Sequence, residues 1–78
     1  MLDTLGVLLV AKGDTAKGTE YIAKAVQLAP DRHEIRLNYA KALLKAGRKD
    51  DARKELLQLQ SVSQEFPGKP EVAELLKQ

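Results

Sequence analysis

A spacing of 34 residues constrains the fold of this chain more than any other feature. When the sequence is compared with itself at that offset, residues of the same class coincide. The six coincident pairs are Leu5 with Tyr39, Gly6 with Ala40, Leu9 with Leu43, Gly13 with Gly47, Gly18 with Ala52, and Ile22 with Leu56. A repeat of this period is typical of stacked helical hairpins, in which each unit packs mainly on its neighbours.

Two kinds of small residue recur in the repeat, and each has a physical reason. Gly13 and Gly47 fit the left-handed position that ends a helix, because glycine has no Cβ to hinder a positive φ. The other small residues predict that the two helices of a hairpin cross closely. These positions are Gly6 and Gly18 in the first copy, and Ala40 and Ala52 in the second.

The apolar spacing predicts five helices and no strand. Pro30 separates the two copies because proline cannot continue a helix, and Pro70 fits the first turn of the last one. Since Gln64 stands where a closing proline is expected and Pro67 follows later, we expect the fourth helix to run one turn beyond the usual length. The predicted helices are about Leu2–Lys12, Thr15–Leu28, Arg32–Ala46, Lys49–Gln64 and Pro70–Lys77.

The pattern resembles that of the tetratricopeptide repeat (TPR) family, which has the same period and the form W-x2-L-G-x2-Y…A-x3-F…P. The first copy reads Leu2-x2-Leu5-Gly6-x2-Leu9, then Gly18-x3-Ile22, Ala25 and Pro30; the second reads Arg36-x2-Tyr39-Ala40-x2-Leu43, then Ala52-x3-Leu56 and Leu59. Leu2 and Arg36 depart from the family's first aromatic. The resemblance implies one all-α domain over 1–78, a right-handed α-solenoid with repeats at about 2–31 and 32–66 and a capping helix at about 70–77.

The residues that could carry chemistry form no recognisable catalytic or metal site. The chain has no cysteine and one histidine, His33, which we expect to face solvent at the start of the third helix. The stretch "GDTAKGTE" has the glycine spacing of a phosphate loop, but Thr19 stands where that loop requires lysine. Asp50 and Asp51 are helix neighbours that point in different directions, and they suit a helix start. We therefore predict a chain that is not an enzyme and has no cofactor or metal.

Charge and hydropathy bear on nucleic acid and membrane binding. The net charge is +2, and the basic residues Lys41, Lys45, Arg48 and Lys49 cluster near one helix end. Aromatic residues make up 4% of the chain, whereas nucleic-acid surfaces usually combine basic and aromatic residues, so the cluster is better explained by helix capping and solubility. No apolar run approaches the ~18 residues of a membrane helix, and no basic segment precedes Asp3 as in a signal peptide. The cellular compartment stays open.

The resemblance implies that this chain binds a protein or peptide. In the TPR family, the first helices of successive hairpins line a concave groove that holds such partners. Asn38, Lys41 and Lys45 share one helix face, and their amide and ammonium groups suit a peptide backbone or a carboxylate, although they are equally compatible with plain solvent exposure. Of the carboxylate clamp of chaperone-binding members, only Asn38 is matched, so we expect no such ligand. By position, the predicted groove contains Asp3, Thr4, Val7, Val10, Glu34, Leu37, Asn38, Lys41 and Lys45.

The alternative is that the chain is a terminal structural segment of a longer TPR array, or a self-associating module. About three repeats are usually needed for stability. The first helix has more apolar surface, through Val7, Leu8 and Val10, than its neighbours can bury. We therefore expect an exposed apolar edge on the N-terminal side that docks a preceding repeat or forms a homodimer. At the other end, we expect the last helix to cover the fourth through Val72, Leu75 and Leu76.

A narrower resemblance involves both ends of the chain. The stretches "LDTLGVLLVAKGD", "LAPDRHEIRLNYAKALLKAGRKDDARKEL" and "FPGKPEVAELL" are similar to the C-terminal end of bacterial multi-repeat TPR proteins. Among these are lipoproteins associated with exopolysaccharide and with PEP-CTERM protein sorting. This resemblance implies a longer protein that is exported and membrane-tethered, with its anchor outside this chain.

Overall fold

The computed structural model describes residues 2–62, 66 and 68–77, with side chains from residue 5 onward. Helices are the only regular structure in those ranges, so the all-α prediction is confirmed. No helix in the described part of the chain is long and apolar enough to cross a membrane. The five helices are α1 (Leu2–Ala11), α2 (Thr15–Leu28), α3 (His33–Lys45), α4 (Lys49–Gln60) and α5 (Lys69–Leu76).

The α1–α2 and α3–α4 hairpins turn in the same way. Gly13 follows α1 with a φ of 99°, and Gly47 follows α3 with a φ of 80°. After each glycine, the next amide donates to a leucine carbonyl of the preceding helix, which is the long hydrogen bond of a Schellman motif. The two bonds are Asp14 N to Leu9 O at 2.8 Å and Arg48 N to Leu43 O at 2.9 Å. The predicted role of both glycines is confirmed.

The helices of each hairpin cross closely at the small residues, as predicted. A Cβ atom placed on Gly18 would lie 2.5 Å from the carbonyl oxygen of Gly6 and 2.9 Å from the backbone nitrogen of Val10. The first crossing therefore leaves no room for a side chain. The second crossing admits a methyl group, because Ala40 and Ala52 are both fully buried there.

Helix α3 lies at the centre of the molecule and contributes to two core clusters. On one side it packs with α1 and α2, and on the other with α4 and α5. The first cluster contains Ile22, Ala25, Ile35 and Ala42, with Val10, Val26, Ala29 and Tyr39 packed against it. The second contains Leu37, Ala40, Leu56, Leu59 and Val72, with Phe66, Leu75 and Leu76 packed against it. The predicted cover of α4 by α5 is confirmed.

Arg36 shows what replaces the aromatic residue of the repeat pattern in the second hairpin. Its Nη1 atom donates to Glu55 Oε1 at 2.8 Å and to Gln58 Oε1 at 2.7 Å, both on α4. The ion pair between Arg36 and Glu55 is mostly shielded, with both side chains 18% exposed. A shielded and hydrogen-bonded pair thus connects α3 to α4 at this position.

Helix α4 is shorter than expected, and the prediction of an extra turn is wrong. It has 12 residues, against 14 in α2, and ends at Gln60. Just beyond this end, the Ser61 hydroxyl donates to the Gln58 carbonyl at 2.8 Å. Gln64 and Pro67, on which the prediction depended, lie outside the described residues.

His33 is also placed differently from the prediction. Its side chain is half-buried rather than solvent-facing. The ring lies against Phe66, with centroids 5.1 Å apart and planes inclined by 43°. This tilted aromatic contact joins the start of α3 to the segment that precedes α5.

Candidate functional site

A small cavity lies between α1 and α3, with α2 forming its floor, and we call it the groove. Its volume is about 180 Å³, below the roughly 300–1,000 Å³ of typical small-molecule sites. It is therefore suited to a side chain or a short peptide segment rather than a large cofactor. The lining residues are Val7, Val10, Ala11, Ile22, Asn38, Lys41, Ala42 and Lys45.

The helical period explains how these side chains meet. Asn38, Lys41 and Lys45 are three and four residues apart, so they share one face of α3. Val7 and Val10 have the matching spacing on α1. The groove consequently has an apolar interior and a polar, cationic margin.

Five of the nine predicted groove residues are brought together by the structure. The five that line one cavity are Val7, Val10, Asn38, Lys41 and Lys45. Glu34 is exposed on α3 but is not among the lining residues. Asp3 and Thr4 belong to α1, and their side chains lie outside the described residues.

Leu37 is the predicted groove residue that the structure contradicts. Its side chain is 4% exposed, because it packs in the cluster that α5 closes through Val72. A residue in this position has no surface to offer a ligand, so Leu37 is a core residue. The prediction that it lines an open groove is wrong.

The two lysines of the groove have different electrostatic surroundings. Lys41 Nζ lies 2.5 Å from Glu71 Oε1 of α5, and the two side chains are 45% and 40% exposed. Lys45, one turn further along α3, forms no ion pair with any described residue. Sequence reasoning missed Glu71, since the only signal was an acidic residue in the first turn of the last helix.

A second surface lies on α1, on the side away from the groove. Leu5 and Leu8 are both exposed large apolar side chains, and we call them the open face. The predicted exposed apolar edge is thus present, but the residues that form it differ from those predicted. Val10 is half-buried against α2, and both Val7 and Val10 belong to the groove.

A larger cavity of about 320 Å³ lies at the other end, between α4 and α5. Its charged residues are Lys49, Asp50 and Arg53, at the start of α4. These are of opposite sign, and Asp50 suits the first turn of α4, where the helix dipole favours a carboxylate. We therefore regard the groove, with its two lysines of like charge, as the candidate binding site.

Comparison with known proteins gives a family but no individual relative. A family model described as tetratricopeptide repeat matches residues 9–78. No significant match was found among curated proteins or among solved structures. The family match says nothing of a bacterial source or of a lipoprotein context. TPR repeats are generally non-catalytic scaffolds for protein–protein interaction. Because the match covers most of its length, this chain belongs to the tetratricopeptide repeat family.

Proposed function

We propose that this chain is a non-catalytic interaction module that binds a peptide, or an exposed segment of a protein, in the groove between α1 and α3. The observation that supports this function is the combination of an apolar interior with two lysines on its margin. Such a site has both requirements of peptide recognition: a pocket for a side chain, and polar groups that fix orientation.

The chemistry of the groove indicates which contacts a ligand would make. An aliphatic side chain would be buried between Val7, Val10 and Ile22, which contributes about 1.5–3 kcal/mol. The Asn38 amide can donate to and accept from a peptide backbone, and a lysine can pair with a carboxylate. Because association itself costs several kcal/mol, we expect weak, reversible binding rather than tight capture.

The test is a comparison of two doubly substituted variants with the unmodified chain in a lysate pull-down. Lys41→Glu/Lys45→Glu reverses the charge of the groove margin, and we expect it to lose a partner that the unmodified chain retains. The matched control is Lys24→Glu/Lys54→Glu, which makes the same charge change at exposed positions of α2 and α4. All three proteins should first show equal helicity by circular dichroism.

The partner recovered would then be identified and its binding segment titrated as a synthetic peptide. Loss in the groove variant, with retention in the control, would support binding in the groove. Equal retention by both variants would contradict it, and equal loss would indicate a general dependence on net charge.

A second candidate function is docking of another TPR hairpin on the open face. The supporting observation is that Leu5 and Leu8 are exposed, while their equivalents Tyr39 and Ala42 pack on α2. A helix with the apolar chemistry of α2 would therefore fit the open face as α2 fits α3. On this proposal the chain is a structural segment of a longer TPR array.

In isolation, the same face should make the chain a homodimer at high concentration. Sedimentation equilibrium should show self-association that Leu8→Lys weakens by at least about tenfold, since one buried leucine contributes about 1.5–3 kcal/mol. Leu57→Lys is the matched control, because Leu57 is a leucine of similar exposure, 46%, on α4. A monomer at all concentrations, or equal effects of both variants, would contradict this second function.

A further inference from the structure

We infer that Glu71, on α5 beside the groove, is an intramolecular competitor for its ligand: it pairs with Lys41 and leaves Lys45 as the cation that receives the acidic group of a ligand. This inference rests on the proposed groove function and deepens it. It assigns unequal roles to two lysines that are equivalent by sequence spacing, and it gives α5 a role in specificity as well as in capping.

Glu71 is held in place for this role by the packing of α5. The next residue, Val72, is 1% exposed and lies in the core cluster with Leu56 and Leu59. This anchor fixes the first turn of α5 beside α3. Glu71 also lies in that first turn, where the helix dipole favours a carboxylate. Its side chain therefore reaches Lys41 from a rigid position rather than from a mobile tail.

The ion pair is strong enough to bias a ligand and weak enough to be displaced. An exposed pair of this kind changes an equilibrium by a factor of roughly two to five. A ligand carboxylate that approaches Lys41 must displace Glu71, which lowers its binding constant by that factor. It is also repelled by the negative charge of Glu71. Lys45 has no ion-pair partner among the described residues, so a carboxylate that binds it displaces none.

This asymmetry defines the partner more narrowly. The groove should prefer a segment in which an aliphatic side chain enters the apolar interior and a single carboxylate points toward the C-terminal end of α3, where Lys45 lies. A second acidic residue on the Lys41 side would not add affinity, because Glu71 already fills that position. The Glu71 carboxylate thereby fixes the orientation in which the peptide segment binds.

The test uses a defined probe, the peptide acetyl-Leu-Gly-Asp-amide, with acetyl-Leu-Gly-Asn-amide as its uncharged counterpart. Binding to the full chain would be followed by ¹⁵N–¹H correlation spectra at low salt. Glu71→Gln should bind the Asp probe about two to five times more tightly than the unmodified chain. It should leave the affinity for the Asn probe unchanged. Glu74→Gln is the matched control, because Glu74 is an exposed carboxylate on the same helix that pairs with Lys77.

The lysines are then separated by further variants with the Asp probe. Lys45→Gln should weaken binding about two- to fivefold, because it removes a cation that no described carboxylate neutralises. The double variant Glu71→Gln/Lys41→Gln removes both charges of a neutral pair, so it should lose the gain that Glu71→Gln alone produces and bind the Asp probe within about 1.5-fold of the unmodified chain. Unchanged resonances of Val72 in every variant would show that α5 remains packed.

The outcomes distinguish this inference from the function on which it rests. If the unmodified chain binds the Asp probe and Glu71→Gln does not tighten it, groove binding stands and the competitor role of Glu71 is wrong. The same holds if Glu74→Gln gives an equal gain, or if the double variant Glu71→Gln/Lys41→Gln weakens binding as much as Lys45→Gln. If neither the unmodified chain nor Glu71→Gln binds either probe, the groove proposal itself fails, and the inference fails with it.

Discussion

The two hairpins of this molecule differ most at positions that their shared repeat makes equivalent. Leu8 of α1 is a large apolar residue and is 53% exposed, whereas Ala42, 34 residues later on α3, is 2% exposed. Leu5 is likewise exposed, whereas its equivalent Tyr39 is half-buried. The difference arises because α3 packs on α2 at these positions, while no described helix packs on the same side of α1. In this fold, burial is decided by the neighbouring helix rather than by the residue itself.

The two ends of the molecule show the same principle. At the C-terminal end, α5 covers α4, so that Leu56, Leu59 and Val72 are all fully buried. At the other end, the corresponding side of α1 is the open face. A short helix of eight residues is thus enough to complete one end. It does so through Val72, with Leu75 and Leu76 packed against the same cluster.

The largest expected effect comes from placing the same charge at both equivalent positions. Ala42→Lys buries an unpaired ammonium group and should lower the free energy of unfolding by at least about 3 kcal/mol. Leu8→Lys changes an exposed residue and should alter it by less than about 0.5 kcal/mol. Chemical denaturation of both variants, at low protein concentration, measures the contrast. A similar large loss for Leu8→Lys would mean that the open face is covered in solution.

A smaller effect should separate the two helix crossings. Gly18→Ala forces a methyl group against the backbone of α1, which costs about 1–3 kcal/mol and is only partly offset by the helix propensity of alanine, about 1 kcal/mol. Ala52→Gly, the reverse change in the second hairpin, removes a buried methyl group and about the same propensity, and should cost about 1–2 kcal/mol. Thermal unfolding should therefore show that Gly18→Ala and Ala52→Gly both destabilise the chain, although one adds a methyl group and the other removes one. A stabilised Gly18→Ala would show that the first crossing can widen.

The smallest losses of stability are expected at the two turn glycines, and these two losses should be equal. Gly13→Ala and Gly47→Ala each place a side chain at a positive φ, at an expense of about 1 kcal/mol. The turns share one hydrogen-bond pattern, and a Cβ added to either glycine meets no atom within 4 Å. The two losses should therefore agree and should add to within about 0.5 kcal/mol in the double variant. Unequal losses in denaturant titrations would show that the two Schellman turns are not equivalent in energy.

The fold could be predicted from the sequence because its signals are local and occur twice. The glycine at each turn and the small residues at each crossing depend only on the backbone and the partner helix within the same hairpin. The end of α4 at Gln60 was not predicted, because the repeat spacing alone indicates a longer helix. The contact of His33 with Phe66 depends on the path between α4 and α5, which no periodicity specifies.

The candidate site was predictable only where it depends on one helix face at a time. Asn38, Lys41 and Lys45 follow from the period of α3, and Val7 follows from that of α1. Leu37 was misplaced because its burial depends on where α5 packs, which is a contact between distant parts of the chain. The pairing of Lys41 with Glu71 was missed for the same reason. Position within a repeat identifies a face, but the packing of the last helix decides which residues of that face stay open.

Helix α1 carries the open face on one side and supplies Val7 and Val10 to the groove on the other. A helix supported on one side only opens more readily than one packed on both, so the backbone amides of α1 should exchange with solvent faster than those of α3. Any helix that docks on Leu5 and Leu8 would slow this exchange and hold one wall of the groove in place. By thermodynamic reciprocity, a groove ligand would strengthen that docking by the same factor, so the two proposed binding events would be coupled equilibria.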